Sequence, residues 1–560
     1  MSALIKAAGF VDRLQWKHWD RLTFKPDEIQ QRLLLKIVQR NREARFGRDH
    51  GFSSIGSLRD YRKQVPLTDY EGLRSYVDSV KTGEPDVLTA EPVVMFTVTS
   101  GSTGDPKLIP VTARARENHR QLTRLWYHRA LADHPELFNG KLLGVVSPAV
   151  EGQTAGGIPF GAASGLIYQQ SPRWIQNTYA VPYEVAEVKE SETKYYLIMR
   201  LGLEHDISFI GTPNPSTILK LIETVNHCKE DMIRDIRDGT IAARCNLTAE
   251  LRAALARRLE KNPARALRLE SLIKQDGALR PREYWPRLKL IGCWKGGSVA
   301  VRLKEFPRWF GGATPVRDLG YMASEAQMTL PVTDSGSAGI LAIDKNFYEF
   351  IPEPEIGAAQ PTLLTCTEIE EGKLYYPVLT TPAGLYRYDI NDVIRVAGFY
   401  NRTPLIEFVR KGRDVTSITG EKLHVNHLIE AMTRAERAAG FGVQHFRACA
   451  DAEKSLYVFA VELDGTVPSR AELARLLAEI DAALAALNLE YAQKRESRRL
   501  GPPVLCVMKT GWFERSTARE VRAASRDAQF KAALLGTIME DPNEIELEVQ
   551  INGEYTASPS

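Results

Sequence analysis

The run Thr99-Ser100-Gly101-Ser102-Thr103-Gly104-Asp105-Pro106-Lys107 follows directly on the apolar stretch Pro92–Val98. That order fixes much of what the chain can be, because a buried strand opens into a loop of glycines, hydroxyls and one lysine that needs a sheet behind it. Glycine lets backbone approach an anion and turn its N–H groups toward it; hydroxyls add donors, and lysine adds a mobile point charge. Phosphate is the anion such a loop suits. A Walker loop is excluded, since only Ser102 and Thr103 separate Gly101 from Gly104 and no Gly-Lys-[Ser/Thr] closes the run.

At 560 residues the chain outgrows a single core, and ordinary domain sizes suggest roughly two to four units. Its formal net charge is only +3 and it carries no basic arm, so nucleic acid is not the expected partner. No run of about 18 apolar residues is present to span a bilayer, and Lys6, Asp12 and Arg13 interrupt any secretory core at the N-terminus. A cytoplasmic protein without a membrane partner is expected. Cysteines 228, 245, 293, 366, 449 and 506 are scattered without a CxxC pair, which predicts reduced structural thiols and no zinc site.

Along the chain, Ile29, Leu33, Leu34, Ile37 and Val38 recur at helical spacing within Pro26 to Asn41, predicting an amphipathic opening helix. After the phosphate loop, Leu108 to Thr112 leads into a polar helix from about Ala113 to Ala132, with Thr112 as its N-cap. Strands are expected at Leu142–Val146, Ile207–Gly211 and Leu288–Cys293, and Thr212 to Ser216 turns the second into a helix. The Gly/Ala/Ser-rich stretch from Thr154 to Gly165 is either a surface loop or a pocket wall. A charge-rich helical insertion is expected at about 225–279, with Leu251, Leu255 and Leu259 on one face. Alternating strands and helices argue for an α/β body over 1–409. The apolar pattern stops at 410–414, a candidate hinge, and 415–560 reads as a smaller α+β domain with helices at Val425–Ala438 and Arg470–Leu487 and strands at Leu456–Leu463 and Val504–Met508.

Three separated segments supply what one nucleotide site needs. The loop would hold phosphates, the ring of Tyr321 can lie against a base, the carboxylate of Glu325 can help hold Mg²⁺, and Asp392 can accept from ribose hydroxyls. In that order the segments resemble the adenylate-forming enzymes, whose phosphate loop reads TSG[ST]TGxPK, whose adenine motif is Tyr-x-x-[Ser/Thr]-Glu and whose ribose aspartate follows a Tyr-Arg segment. Tyr321-Met322-Ala323-Ser324-Glu325 and Tyr386-Arg387-Tyr388-Asp389-Ile390-Asn391-Asp392 carry the likeness. A closer resemblance is to the auxin-responsive-promoter family of acyl-acid amido synthetases and their bacterial members. It rests on Gln30 to Phe52, Lys107 to Thr112, Pro213-Asn214-Pro215-Ser216, Val396 to Asn401, Phe408-Val409-Arg410 and Thr419 to Leu423, and covers nearly the whole chain. Leu108 stands where most acyl-CoA ligases have glycine, and Asn391 stands where the ribose motif usually has glycine.

The resemblance implies a large adenylate-forming domain of β-sheets flanked by helices, a mobile C-terminal lid domain, ATP and Mg²⁺. It implies two half-reactions: a carboxylic acid becomes an acyl-adenylate with release of pyrophosphate, then an amine, an amino acid's, displaces AMP. Thr99, Ser100, Gly101, Ser102, Thr103, Gly104 and Lys107 would hold phosphates; Tyr321, Ser324, Glu325 and Asp392 would bind the nucleoside and metal. Lys422 and Lys531 would arrive from the lid as catalytic cations, and Arg120 or Arg124 could anchor the acid's carboxylate. An acyl-CoA ligase and a non-catalytic nucleotide-binding relative are the alternatives; the acid, the amine and the oligomeric state are not encoded legibly.

Overall fold

A computed structural model describes residues 2–99, 107–170, 173–413, 415–463, 467–513, 515–516, 535–536 and 547–553. The chain divides into two compact units, residues up to Arg410 apart from 100–106, and residues from Lys411 onward. Among the described residues no helix is long and apolar enough to cross a membrane. All six cysteines are free and buried.

The first unit is built on three sheets. One is parallel, with strands Lys141–Gly144, Ile207–Gly211, Leu290–Gly292 and Val316–Arg317 side by side in chain order. Ile207 to Ile210 is buried without interruption, as a strand covered on both faces requires. Its exit turns at Asn214, whose side chain accepts from Ser216 N; Pro215 then occupies the first helical position, where its missing N–H costs nothing. In the helix Pro215–His227 that follows, Ile218, Leu221, Ile222 and Val225 lie on the buried face. Helices Lys229–Asp238 and Pro263–Asp276 each end on a glycine at φ 69°. With the helix Ala249–Ala256 between them they share one apolar core with the parallel sheet: Met232, Ile236, Leu255 and Leu269 join Ile207, Ile210 and Ile291. The charge-rich segment is thus a layer of the main body, with arginines such as Arg234 and Arg258 half-exposed on its outer face.

The second sheet is antiparallel and seven-stranded, its main path running Phe347–Pro352, Leu374–Thr380, Asp392–Tyr400, Thr403–Lys411, Gly339–Leu341, Thr329–Leu330. The helix Pro26–Arg40 buries Ile29, Leu34, Ile37 and Val38 in the same core as this sheet. Buried Gln30 ties the two together, donating to the Asn346 carbonyl at 2.8 Å and accepting from Tyr348 N at 2.8 Å.

The third sheet holds the phosphate-loop segment, and it differs from a simple strand exit. Val93–Thr99 pairs antiparallel with Lys107–Thr112, so Thr99 faces Lys107 and residues 100–106 connect two halves of a hairpin. Leu108 to Val111 therefore belongs to a strand, and Thr112 ends it by capping the helix Ala113–Asp133, accepting from Ala115 N at 3.3 Å. In the Gly-rich stretch, Ala155 to Gly157 are exposed, while Gly156, Gly161 and Gly165 pack closely on backbone. A Cβ on Gly156 would meet Gly83 N at 2.4 Å, on Gly161 the Ala149 carbonyl at 2.5 Å, and on Gly165 the Ser147 carbonyl at 2.2 Å. These glycines let one stretch of backbone lie directly on another.

In the C-terminal unit a five-stranded sheet runs Leu535–Gly536, Val443–Asp451, Leu456–Leu463, Val504–Met508, Leu547–Asn552. Helices Val425–Ala439 and Arg470–Leu487 cover it through Leu428, Met432, Leu473, Leu477 and Ile480. A two-stranded ladder, Val415–Thr416 with Leu423–His424, frames the turn that carries Lys422.

A buried ion network fixes the segment leading to Asp392. Glu349, 1% exposed, accepts from Arg62 Nε at 2.8 Å and Arg387 Nε at 2.9 Å, while Arg387 also donates to the Val65 carbonyl at 2.6 Å. Removing the carboxylate leaves the buried Arg387 guanidinium without its partner, beside the partly exposed Arg62. Glu349→Ala is expected to lower the unfolding free energy of this unit by about 3–5 kcal/mol in denaturant titration; an unchanged midpoint would contradict the network's role.

Candidate functional site

Asp392 begins the strand Asp392–Tyr400 and is 1% exposed. Two left-handed residues shape its approach, Arg387 at φ 46° and Asn391 at φ 54°. The first is held by Glu349 and by Thr68 N, which donates to its carbonyl at 3.0 Å. The second is stabilised by Asp389, whose carboxylate accepts from Asn391 N at 2.7 Å. Asparagine tolerates this backbone region better than most residues, so it serves here in the place of glycine.

Tyr321 and Asp392, 71 residues apart, meet directly: the Tyr321 hydroxyl donates to Asp392 Oδ2 at 2.6 Å. Burial first, and then the Asp392 charge, raise the phenol's pKa well above its ordinary value, so it stays protonated and can only donate in this bond. The ring is 9% exposed and lies at a tilt to Phe408, 5.6 Å between centroids. Beyond Tyr321 the chain makes a tight turn, with Ala323 N donating to the Ala326 carbonyl at 2.9 Å. Ser324 and Glu325 sit at its tip.

That tip reaches the phosphate-loop hairpin, because Thr97 Oγ1 donates to the Ser324 carbonyl at 3.2 Å. On the neighbouring strand Leu108 N donates to the Tyr70 hydroxyl at 3.0 Å, and the Lys107 ammonium lies 5.5 Å from the centre of the same ring. Tyr388 joins the group: burial raises its phenol's pKa, and the charges of Glu325 and Asp69 raise it further. The structure therefore brings Lys107, Ser324, Tyr321 and Asp392 into one linked set, with Glu325 on its edge as a partly exposed carboxylate. A cation at a strand end, a buried acceptor and an accessible carboxylate are the donor set a nucleoside triphosphate with a divalent metal calls for.

The remaining expected residues fall elsewhere. Ser100, Gly101, Ser102, Thr103, Gly104 and Lys531 lie outside the described residues; Thr99 is described only as the strand end opposite Lys107. Arg120 is mostly exposed and pairs with Glu117 at 3.3 Å, and Arg124 pairs with Asp12 at 2.6 Å, so both are engaged at the surface and not in the linked set. Lys422 belongs to the C-terminal unit, at φ 46°. Its turn is shaped by Glu421, fully buried, which accepts from Ile418 N at 2.6 Å, Thr419 N at 2.8 Å and the Tyr457 hydroxyl at 2.5 Å, and by Asn488 Nδ2, which donates to the Glu421 carbonyl at 2.9 Å. His424 and His427 form a capping box at the start of the helix Val425–Ala439, a structural use.

Sequence reasoning missed Tyr70, Thr97 and Tyr388. Asp69, which caps the helix Tyr70–Lys81 by accepting from Gly72 N at 3.1 Å, marks where Tyr70 sits, but nothing local marks what it touches. His119, on the helix after the hairpin, is also different from a generic surface histidine. Enclosure pushes its imidazole down to about 4, against a contact with Gln327 that works the other way. Since a depressed histidine pKa favours the neutral form in the fold, His119 costs stability as pH falls from 6.5 toward about 4. Histidine NMR should show it neutral down to about pH 4; a resonance titrating at the ordinary value would contradict its enclosure.

Family models described as the GH3 family N-terminal, central and C-terminal domains match residues 15–316, 339–411 and 426–537. Indole-3-acetic acid-amido synthetase GH3.4 of Arabidopsis thaliana is 26% identical over 547 residues, spanning 92% of this chain and 90% of its own. Jasmonoyl--L-amino acid synthetase GH3.5 of Oryza sativa subsp. japonica is 26% identical over 549 residues, spanning 92% and 93%. Among solved structures, AtGH3.15 acyl acid amido synthetase in complex with 2,4-DB superposes with a TM-score of 0.66 at 23% identity over 98% of both chains. A 2-hydroxyisobutyryl-CoA ligase in complex with 2-HIB-AMP and CoA gives 0.52 at 15% identity over 92% of this chain and 91% of its own, which shows a shared fold.

Proposed function

The chain belongs to the GH3 family, and we propose that it is an ATP-dependent acyl-acid amido synthetase that joins a small carboxylic acid to the amine of an amino acid through an acyl-adenylate. The observation that carries this reading is the buried Tyr321–Asp392 hydrogen bond, linked through Ser324 and Thr97 to the hairpin that bears Lys107. It supports one nucleotide site with the base and ribose at the Tyr321–Asp392 end and the phosphates at the hairpin.

In the first half-reaction the acid's carboxylate attacks the α-phosphorus and pyrophosphate leaves. Charge gathers on the phosphoryl oxygens, so the Lys107 ammonium and the donors of 99–104 act by standing there beforehand. Asp392 accepts from ribose hydroxyls, and Glu325 would hold Mg²⁺, which supplies charge neutralisation on the phosphates. In the second half-reaction an amine attacks the activated carbonyl and AMP leaves with the electron pair of the broken C–O bond. Lys422 and Lys531 are assigned to the phosphate and the departing oxygen, as cations that would steady the charge gathered there. The residues Arg120 and Arg124 are not retained as the acid's anchor, since carboxylates of the chain already engage them at the surface.

Amide rather than thioester formation is supported by the names of the relatives and by Leu108, placed just past Lys107 on a paired strand with its N–H on Tyr70. The test is an ATP-dependent hydroxamate assay over a library of carboxylic acids, because hydroxylamine intercepts an acyl-adenylate whatever the natural amine. Positive acids are then offered amino acids or coenzyme A, and the product identifies the acceptor. Lys107→Ala and Asp392→Ala are each expected to lower acid-dependent pyrophosphate release by about 10²–10³-fold. Wild-type rates in both would sink the site, and no acid-dependent release across the library would point to a nucleotide-binding relative without turnover.

A further inference from the structure

The hydroxyl of Tyr321 reaches Asp392 only if the Tyr321 backbone is held in place, and that backbone follows a strained position. Gly320 has φ 99°, and a Cβ there would meet the Thr329 carbonyl at 2.6 Å and Pro331 Cδ at 3.1 Å. Glycine removes the clash but leaves the segment with the most backbone freedom of any residue. Something else must fix it.

Three groups do so. Asp318 Oδ1 accepts from Gly320 N at 2.6 Å, Trp294 Nε1 donates to the Gly320 carbonyl at 3.1 Å, and Tyr321 N donates to Thr329 Oγ1 at 2.8 Å. The other oxygen of Asp318, Oδ2, accepts from Lys295 N at 2.6 Å. One carboxylate, 4% exposed, thus clamps the segments that leave two adjacent parallel strands, Leu290–Gly292 and Val316–Arg317. The Lys295 ammonium donates to the Val316 carbonyl at 3.0 Å and to the Asp334 carbonyl, and its charge acts on Asp318 against the effect of burial, less strongly than the two backbone N–H groups do. The carboxylate is held there chiefly by backbone N–H groups, although burial pushes its pKa up to about 6. A buried charge kept for two backbone donors is costly for stability alone.

We propose that Asp318 is a positioning residue for the nucleoside end of the site: by holding the N–H groups of Gly320 and Lys295 it sets Tyr321 where its hydroxyl meets Asp392. Asp318 does not touch the nucleotide in this scheme and acts only through Gly320. The inference rests on the reading of Tyr321 and Asp392 as nucleoside-binding residues. Its chemical signature is that both oxygens must accept. Asparagine keeps one acceptor and turns an NH₂ donor toward an N–H, so it is no conservative replacement.

The test is ATP binding by the full chain, measured by titration calorimetry well below each variant's melting temperature, with the melting temperature recorded alongside. Asp318→Asn and Asp318→Ala are both expected to weaken ATP binding about tenfold, with the KM for the carboxylic acid unchanged. Tyr321→Phe is expected to weaken it too, and adding Asp318→Asn to Tyr321→Phe should weaken it no further, since the two act in series. Trp294→Phe, which removes only the indole donor, should weaken ATP binding severalfold and keeps the question answerable should the Asp318 variants not fold. A lowered melting temperature with unchanged ATP affinity in Asp318→Asn overturns the proposal, as does full additivity with Tyr321→Phe or an unchanged affinity in Trp294→Phe. A wild-type chain that binds no ATP overturns the nucleotide reading itself, a result distinct from wild-type binding that the Asp318 variants share.

Discussion

Two guanidinium groups meet one carboxylate in the interior of the first unit, and the geometry of the site descends from that contact. Glu349 between Arg62 and Arg387 is a carboxylate almost out of water, and the desolvation of it and of Arg387 is offset only where the pairing geometry is good. What the arrangement secures is conformation. Arg387 is held left-handed, its carbonyl meets Thr68, Asp389 N reaches back to the Thr68 carbonyl at 2.7 Å, and a second left-handed residue, Asn391, delivers Asp392 to the head of its strand. From there a single buried hydrogen bond reaches Tyr321, and through Ser324 the Lys107 hairpin. Each contact is short and local; together they join parts of the chain far apart in sequence.

The two units solve a similar problem by similar means. In the first, a buried aspartate and an indole hold the glycine before Tyr321; in the second, buried Glu421 and Asn488 hold the left-handed turn at Lys422. In both, a polar side chain out of water satisfies backbone groups that the local fold leaves without secondary-structure partners. Polar burial of this kind is expensive.

Much of the scaffold could be read from the sequence because it follows simple periods. Ile207–Gly211 and Leu456–Leu463 are strands and Arg470–Leu487 is a helix over the expected residues, the first two short and rich in β-branched and aromatic residues, the third long and at helical spacing. The phosphate-loop hairpin was harder. Its second strand, Lys107–Thr112, contains Pro110 and stops on a helix cap, so its local signals point to the helix and conceal the pairing with Val93–Thr99. The type of residue at the site was legible at Tyr321 and Asp392 through their motifs, but their contact was not, since no local rule relates positions 71 residues apart. Tyr70, Thr97 and Asp318 were invisible for the same reason: each is an ordinary residue type whose role exists only in what it touches.

The pairing of Thr99 with Lys107 has a consequence for the placement of that lysine. Both ends of 100–106 are tied to a ladder, and along a strand neighbouring side chains point to opposite faces. Exchanging one small residue for another within the loop leaves that ladder untouched. A slip of the second strand by one place against the first would turn the Lys107 ammonium to the far side of the sheet. The face of the sheet on which Lys107 stands is therefore set by the register of this ladder, and not by the residues of the loop.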